Sequence, residues 1–261
     1  MGYIEAIILA IIEGLTEFLP VSSTGHLIIA SSFFGIADQD FTKLFTIVIQ
    51  LGTILSVLVL YWKRFFQSID FYKKLFVAFL PAVVLGLLLN DIIDELLESP
   101  LVVACSLVIG GFILLKVDEW FKSSEDDKIS YMTALKIGFF QCLAMVPGVS
   151  RSGASIVGGM SQKLSRTTAA EFSFFLAVPT MFGATVKKTY DYYQDGFVLT
   201  SEQTNLLIIG NVIGLLVAIL AIKSFIEYLS KHGFKVFGYY RIAFGLFILF
   251  YHFFINPLTT S

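Results

Sequence analysis

The stretch EGLTEFLPVSSTGH, residues 13–26, holds two glutamates, a run of three hydroxyl side chains and a histidine. It lies within an otherwise apolar region, residues 3–34, that is interrupted at Pro20. A proline in a helix interior removes a backbone hydrogen bond and breaks or kinks the helix. The pattern therefore predicts two half-helices joined by a polar turn. Non-helical backbone at membrane depth survives only where protein or water satisfies it, so we predict a re-entrant hairpin that lines a cavity.

The composition around this stretch is that of a membrane protein. Of the 261 residues, 56% are hydrophobic and 15% are charged, whereas a soluble domain is roughly 25% charged. A second apolar region, residues 134–160, is interrupted at Pro147 and Gly148 and predicts a second re-entrant hairpin. Six runs are long and apolar enough to cross a bilayer, and the second and third should extend into their flanks: 44–62, 75–89, 101–115, 169–186, 206–222 and 242–255.

These features predict an all-α polytopic membrane protein, a single integral membrane domain over residues 1–261, with six transmembrane helices and two re-entrant helical hairpins. Cys105 and Cys142 both lie in apolar runs, which predicts small core residues without a disulfide. The N-terminus lacks the basic segment of a cleavable signal peptide, and Glu5 follows almost at once. The net charge of −2 gives no sign of a nucleic-acid partner, and we expect none.

Basic residues in the connections predict the orientation, because cytoplasmic connections carry an excess of lysine and arginine. The connection after the second run, residues 91–98, has no basic residue. Lys187 and Lys188, after the fourth run, do not fit the pattern. The first hairpin then enters from outside, the second from inside, and both termini are external. The connections predicted to be cytoplasmic follow the first, third and fifth runs and carry Lys63, Arg64, Lys73 and Lys74; Lys116, Lys122 and Lys128; and Lys223, Lys231, Lys235 and Arg241.

The two interrupted regions share a pattern. Residues 21–25, VSSTG, are echoed by residues 149–153, VSRSG, and each copy follows a proline and precedes three apolar runs. Because three is odd, the second copy is inverted with respect to the first. We therefore predict an inverted-topology repeat, with repeat 1 over about 1–126 and repeat 2 over about 127–261. Such repeats place a binding site near the membrane midplane, where the two breaks meet.

The first break carries acids and a candidate base. Glu13 and Glu17 are four residues apart and share one helix face. Their repulsion in a low dielectric would be relieved by a divalent cation or an arginine, unless both face an aqueous vestibule. His26 lies within one helical turn of Ser23. It is either a hydrogen-bonded core residue or a general acid–base group beside a hydroxyl.

The hydroxyls and the second break predict an anion site. Ser22, Ser23 and Thr24 precede a half-helix, whose N-terminus they would cap and where a phosphate would be favoured. Arg151, between Ser150 and Ser152, is the only arginine that the sequence predicts to lie deep in an apolar region. Its guanidinium suits phosphate oxygens, or an ion pair with one of the glutamates that opens to admit an anion. Together these groups indicate phosphoryl transfer on an anionic headgroup with a lipid tail.

Residues 13–26 and PGVSRSGAS, residues 147–155, resemble the two signature motifs of the undecaprenyl-diphosphate phosphatases, the bacitracin-resistance family. The resemblance covers essentially the whole chain. It implies a homodimer of the bacterial inner membrane, among membrane lipids, that acts on a polyprenyl diphosphate. The family removes one phosphate from the C55 lipid carrier diphosphate and so recycles the carrier for cell-wall synthesis. The resemblance also implies a requirement for Mg²⁺ or Ca²⁺.

The resemblance assigns roles to individual residues. It implies that Ser23 is the nucleophile, with His26 or Glu17 as its proton partner, although a metal-activated water could attack instead. Glu13 and Glu17 are the paired acids and the candidate metal ligands. Many members carry threonine where this chain has Ser155, so the hydroxyl is retained. The residues implied to bind the diphosphate are Ser22, Thr24, Ser150, Arg151, Ser152 and Ser155.

Three rival classes are weighed against this assignment. Lipid phosphatases with K-x6-R-P and S-R-x5-H motifs are disfavoured, because Val157 stands at the histidine position and no Lys-x6-Arg-Pro occurs. A lipid-phosphate flippase or transporter with the same inverted repeat needs complementary charge, but not a serine and a histidine beside paired acids. A scaffold would leave the charges within the apolar regions unexplained.

Overall fold

The computed structural model describes residues 1–66, 68–97, 99–122 and 127–254, and within these ranges it is all helical. Two short 3-10 helices, Trp62–Phe66 and Leu143–Met145, accompany the α-helices. The α-helices are α1 (Tyr3–Thr16), α2 (Ser23–Phe33), α3 (Asp40–Val48), α4 (Gln50–Leu60), α5 (Ile69–Leu88), α6 (Asn90–Leu97), α7 (Pro100–Trp120), α8 (Tyr131–Cys142), α9 (Arg151–Ser161), α10 (Arg166–Gln194), α11 (Ser201–His232) and α12 (Lys235–Phe254).

Six helical segments are long and apolar enough to cross a membrane: the α3–α4 pair, α5, α7, α10, α11 and α12. Each overlaps one predicted run, and α5 and α7 extend into the flanking residues as expected, so the protein is a multi-pass membrane protein. Lys187 and Lys188 lie within α10 rather than in a loop, since that helix continues to Gln194 and Lys187 pairs with Asp191 at 2.8 Å. The predicted repeat boundary at 126 and the last residue of the sixth predicted run lie outside the described residues.

Hydroxyl side chains fix where the long helices begin. An N-cap side chain that accepts a backbone N–H satisfies one of the donors left free in the first helical turn. Besides α2 and α9, described below, five helices begin in this way, and α7 also has Pro100 in its first turn, where the missing N–H costs nothing. The capping residues are Ser68, Ser99, Ser130, Ser165 and Thr200.

Both predicted breaks are present as helix–turn–helix pairs. Helix α1 is followed by a turn that leads into α2, and α8 is followed by a 3-10 turn that leads into α9. Ser22 and Ser150 occupy the same position in the two turns and have nearly the same backbone conformation, with φ 68° and ψ 93° against φ 75° and ψ 117°. Each hydroxyl caps the following helix, accepting from Gly25 N at 3.4 Å or Gly153 N at 3.2 Å.

Helix packing is reciprocal between the two halves of the chain. Helix α1 packs on α11, and α8 packs on α5. The last long helices of the two halves, α7 and α12, pack against each other, and α4 packs against α10 and α11. The main hydrophobic core surrounds α10 and includes Phe172, Phe174, Phe175 and Leu176. The polar turns after α1 and α8 are therefore held inside the helical assembly.

The structure corrects four expectations. Arg241, expected in a cytoplasmic connection, lies within α12 and is only 1% exposed, because backbone carbonyls surround its guanidinium. Arg151 is therefore not the only arginine deep in an apolar region. Lys223 lies inside α11, which runs on to His232. Cys105 and Cys142 are both free as predicted, but Cys105 is exposed rather than in the core.

Candidate active site

A cavity of about 260 Å³ lies between the two breaks. The first break contributes Glu17 and Ser22–Thr24 to its wall, and the second contributes residues 147–148 and 150–151. Cavities of about 420, 580 and 730 Å³ lie elsewhere, but none of them is lined by the hydroxyl run or by Arg151. The smaller cavity is thus the one that joins the polar groups of both motifs. The α4, α6 and α10 helices complete its wall with Gln50, Ile93, Met181 and Ala184.

Glu17 is the centre of the polar contacts in this cavity. Ser23 Oγ donates to Glu17 Oε2 at 2.5 Å, and Arg151 Nη2 donates to Glu17 Oε1 at 2.7 Å. The carboxylate is 7% exposed and the arginine side chain 12% exposed, so the pair is largely removed from water. A hydroxyl hydrogen-bonded to a carboxylate is in position to lose its proton, and charge-assisted contacts of this kind are strong.

Ser173 and Phe18 hold the Arg151 guanidinium in place, and Ser155 supports the same region. Nη1 donates to Ser173 O at 3.0 Å, and the guanidinium carbon lies 5.6 Å from the centre of the Phe18 ring. The Ser155 hydroxyl lies 2.7 Å from the Ser173 hydroxyl and donates to Arg151 O at 2.8 Å. The Nε of Arg151 is buried and has no partner among the described residues. Arg151 therefore lines the cavity while its guanidinium is held from behind by the protein.

Glu13 is fully buried beside Glu17, and no N–H or O–H donor of the described residues reaches either of its carboxylate oxygens. It stands one helical turn before Glu17, as the spacing predicted. Buried polar atoms are almost always satisfied, so two unpartnered oxygens indicate a proton or a cation. Among the described residues no group of three or more acidic, histidine or cysteine side chains could hold a metal. Mg²⁺, however, is commonly bound by one or two carboxylates together with substrate phosphates. Glu17 lines the cavity, and Glu13 lies buried one helical turn before it, outside the cavity lining.

The predicted diphosphate-binding hydroxyls fall into two groups. Ser152 and Ser155 do not line the cavity: Ser152 Oγ donates to Leu19 O at 2.8 Å, joining the two breaks, and Ser155 supports the arginine from behind. Ser152 and Ser155 thus lie behind the site rather than in it. The predicted residues that the structure does bring together at the cavity are Glu17, Ser22, Ser23, Thr24, Ser150 and Arg151.

His26 points away from the cavity. Its Nδ1 lies 2.8 Å from Ser22 O, and its Nε2 lies 2.6 Å from the Tyr240 hydroxyl. The imidazole also stacks on the Phe244 ring, with 4.2 Å between ring centres. Because both ring nitrogens are engaged outside the cavity, Glu17 rather than His26 is the group in contact with the Ser23 hydroxyl.

Comparison with known proteins identifies the family. The family model of the bacitracin resistance protein BacA matches residues 6–247. The chain belongs to the BacA family. It is 74% identical over 259 residues to the undecaprenyl-diphosphatase of Flavobacterium psychrophilum, covering 99% of both chains. It is 52% identical over 254 residues to that of Bdellovibrio bacteriovorus, covering 95% of both. It is 44% identical over 247 residues to that of Aquifex aeolicus, covering 93% of this chain and 95% of the relative.

Several residues that shape the site of this BacA-family chain are not singled out by the sequence patterns. Gln50 lines the cavity from within a predicted span, and Ser173 anchors the arginine from within another. A polar residue inside an apolar run is a signal that could have found both. Arg241 has no such signal. It directly precedes a predicted transmembrane run and follows another basic residue, Lys235, so in the sequence it resembles the end of a loop.

Proposed function

We propose that the protein is a membrane phosphatase that hydrolyses undecaprenyl diphosphate to undecaprenyl phosphate and inorganic phosphate, and so recycles the lipid carrier for cell-wall synthesis. One observation carries the proposal: a serine, a carboxylate and an arginine are joined in a single chain of contacts between two helix N-termini. The full-length relatives named undecaprenyl-diphosphatase support the substrate. The cavity of about 260 Å³ suits a diphosphate headgroup, with the prenyl tail left in apolar surroundings.

In the first step Ser23 attacks the terminal phosphorus. Glu17 accepts the proton of the Ser23 hydroxyl as the new O–P bond forms. The bond between that phosphorus and the bridging oxygen breaks, and undecaprenyl phosphate leaves with the bridging oxygen. Arg151 and the free N–H groups at the start of α2 and α9 stabilise the charge on the transferring phosphoryl group.

In the second step a water molecule attacks the phosphoserine. Glu17 returns its proton to the Ser23 oxygen as the O–P bond breaks, and inorganic phosphate leaves. Thr24 offers a further hydroxyl to the phosphate oxygens from the cavity wall, whereas the Ser22 and Ser150 hydroxyls, which also lie at that wall, cap α2 and α9. Ser152 and Ser155 contribute by holding the second break and the arginine. His26 acts by holding Ser22 O rather than by moving a proton.

A divalent cation, Mg²⁺ or Ca²⁺, belongs to the proposal. The unpartnered oxygens of Glu13 support it, and Glu13 and Glu17 are the residues that would hold it. When bound there, such a cation would neutralise phosphate oxygens and the two carboxylates together. A chelator should therefore remove most of the activity.

The membrane arrangement is also part of the proposal. The α1–α2 and α8–α9 pairs are re-entrant hairpins, and the two halves of the chain form an inverted repeat in the bacterial inner membrane with both termini external. The reciprocal helix packing and the matching turn conformations support the repeat. The site would then lie near the midplane and open outward. Labelling of single cysteines placed at residues 2 and 201 from outside intact cells tests the orientation, since both positions should be external.

The homodimer implied by the resemblance is carried into the proposal as its assembly state. Its test is the mass of the purified protein in detergent, corrected for bound detergent. A mass of one chain at all protein concentrations would contradict the dimer without affecting the proposed chemistry.

The decisive experiment is phosphate release. Purified protein in detergent is given undecaprenyl diphosphate with Mg²⁺ or Ca²⁺, and inorganic phosphate is measured with and without chelator. Release that depends on the cation is expected. If none is released by folded protein under any of these conditions, the phosphatase proposal fails. A matched vesicle assay for transbilayer movement of the lipid then examines the transport class.

A further inference from the structure

Arg241 is the most deeply enclosed cation among the described residues, at 1% exposure. It lies on α12, outside the predicted motifs. None of the ion pairs between described residues involves it, so carbonyl oxygens alone balance its charge. The Arg241 guanidinium donates five hydrogen bonds, all to backbone carbonyl oxygens. Nε donates to Leu107 O at 3.3 Å, Nη1 to Pro20 O at 3.1 Å and Val149 O at 2.9 Å, and Nη2 to Ser106 O at 3.1 Å and Gly148 O at 2.8 Å.

These carbonyls come from three separate segments. Pro20 belongs to the first break, Gly148 and Val149 belong to the second, and the remaining two belong to α7. One rigid, planar group is therefore bonded to both breaks at once. A guanidinium can do this because its donors are held in a fixed fork, whereas a lysine ammonium offers a single point of attachment. Arg241 thereby ties the start of α2 to the start of α9.

The surroundings are shaped to admit the guanidinium. On α7, a Cβ at Gly110 would clash with Arg241 Nη2 and would lie only 2.7 Å from its Cζ. At Gly153, at the start of α9, a Cβ would lie 3.5 Å from Nη1. The guanidinium thus fills space that a larger side chain on α7 would occupy. The Arg241 guanidinium therefore packs against the turn that precedes Arg151.

The segments that Arg241 holds are strained. Ser22 and Ser150 have φ values of 68° and 75°, a left-handed conformation that non-glycine residues rarely adopt. Such conformations persist only where the surrounding structure holds them, and they cluster at functional sites. Two Arg241 contacts fall beside these residues, at Pro20 O and Val149 O. The same helix holds Ser22 O through Tyr240 and His26.

We propose that Arg241 is a positioning residue for the phosphatase reaction, fixing the two breaks against each other so that Ser23 and Arg151 meet one phosphoryl group. This inference rests on the proposed function. Arg241 does not line the cavity, so a substrate bound there would be held by other residues. Its effect is on the alignment of the serine with the arginine-bound phosphate. A displacement of about 1 Å in such an alignment can cost about 100-fold in rate.

The test compares Arg241→Lys with a control of similar depth on the same helix. Ile248 is also 1% exposed and packs in a hydrophobic cluster with Val103, Ala104 and Leu107 of α7, so Ile248→Ala loosens the same helix pair while the Arg241 side chain is kept. Each variant is measured as kcat and KM per folded protein, with the folded fraction taken from size exclusion in detergent. Arg241→Lys should lower kcat by about 10- to 100-fold with a small change in KM. Ile248→Ala should leave both constants near those of the unaltered protein.

A second variant keeps the arginine. Gly110→Ala pushes the guanidinium from α7 and should also lower kcat more than it raises KM. Unaltered kcat in either folded variant, or an equal fall in Ile248→Ala, would overturn the inference. So would the failure of both Arg241→Lys and Gly110→Ala to fold while Ile248→Ala folds, because Arg241 would then act on folding alone. Absence of phosphate release from the unaltered protein would instead sink the proposed function itself.

Discussion

Replacing Ser23 by alanine, with Ser22→Ala as its matched control, separates a nucleophile from a helix cap. The two serines are neighbours, but their contacts differ. Ser22 Oγ accepts from Gly25 N at 3.4 Å and caps α2, whereas Ser23 Oγ donates to Glu17 Oε2 at 2.5 Å. If Ser23 attacks the phosphorus, its removal leaves the enzyme without a nucleophile, while removal of Ser22 only weakens the start of a helix.

The contacts set the expected magnitudes. Loss of an N-cap hydroxyl costs about 1 kcal/mol, which corresponds to about a fivefold effect at most if all of it reached the transition state. Loss of the Ser23–Glu17 hydrogen bond alone, to a charged acceptor, costs about 1.5–3 kcal/mol, or about 10- to 150-fold. Loss of a nucleophile in a hydrolase costs on the order of 10⁶-fold. We therefore expect Ser23→Ala to fall by more than about 10³-fold and Ser22→Ala to stay within about fivefold.

The assay is the initial rate of phosphate release at saturating undecaprenyl diphosphate, with both variants checked for folding in detergent. Acid quenching with substrate labelled in its terminal phosphate adds a direct readout. The unaltered protein should carry label on Ser23, and Ser23→Ala should carry none. Equal and mild losses in the two variants, with no labelled protein at any time, would show that water attacks and would refute the serine mechanism.

Three further predictions concern the rest of the site. Arg151→Ala should abolish turnover and weaken diphosphate binding, and it should destabilise the protein by about 3–5 kcal/mol because Glu17 is left buried without its partner; near-normal kinetics would make the arginine structural. Glu13→Gln should raise the Mg²⁺ concentration needed for half-maximal activity by at least about tenfold, and an unchanged cation requirement in a titration would contradict the role of its free oxygens. His26→Phe keeps the stacking on Phe244 but loses both hydrogen bonds, so kcat should fall while the shape of the pH–rate profile is kept; loss of one limb of that profile would identify the imidazole as the base.

The spans and the breaks were predictable because their signals are local. Hydropathy marks the long apolar helices, and Pro20 and Pro147 mark the interruptions within the other two regions. The pairing of Glu17 with Arg151 was open to prediction for a similar reason. Charges are costly in an apolar setting, so each acid in the first break needed a partner and the second break offered a cation.

Residues whose roles depend on distant backbone could not be assigned in this way. Arg241 is bonded to carbonyls up to 221 positions away, and a backbone carbonyl has no signature in the sequence. His26 lies one turn from Ser23, which favours a shared helix face. In the structure, however, the imidazole contacts the Tyr240 hydroxyl on α12 instead of the Ser23 hydroxyl. Ser155 contacts Ser173 instead of lining the cavity, and that contact follows only from the packing of α9 on α10.

The contacts between the two breaks bear on the choice between a phosphatase and a flippase. Alternating access in an inverted-repeat transporter moves one repeat against the other around the binding site. Here an ion pair from Glu17 to Arg151, a hydrogen bond from Ser152 to Leu19 O and the Arg241 guanidinium all cross between the two breaks. Hydrogen bonds to charged groups contribute about 1.5–3 kcal/mol each, so separating the breaks would cost several of these together. Phosphoryl transfer instead requires that the breaks stay fixed while charge develops on the phosphate. In the proposed mechanism the equivalent positions 23 and 151 have different roles, since one break would supply the attacking serine and the other the arginine that would hold the phosphate.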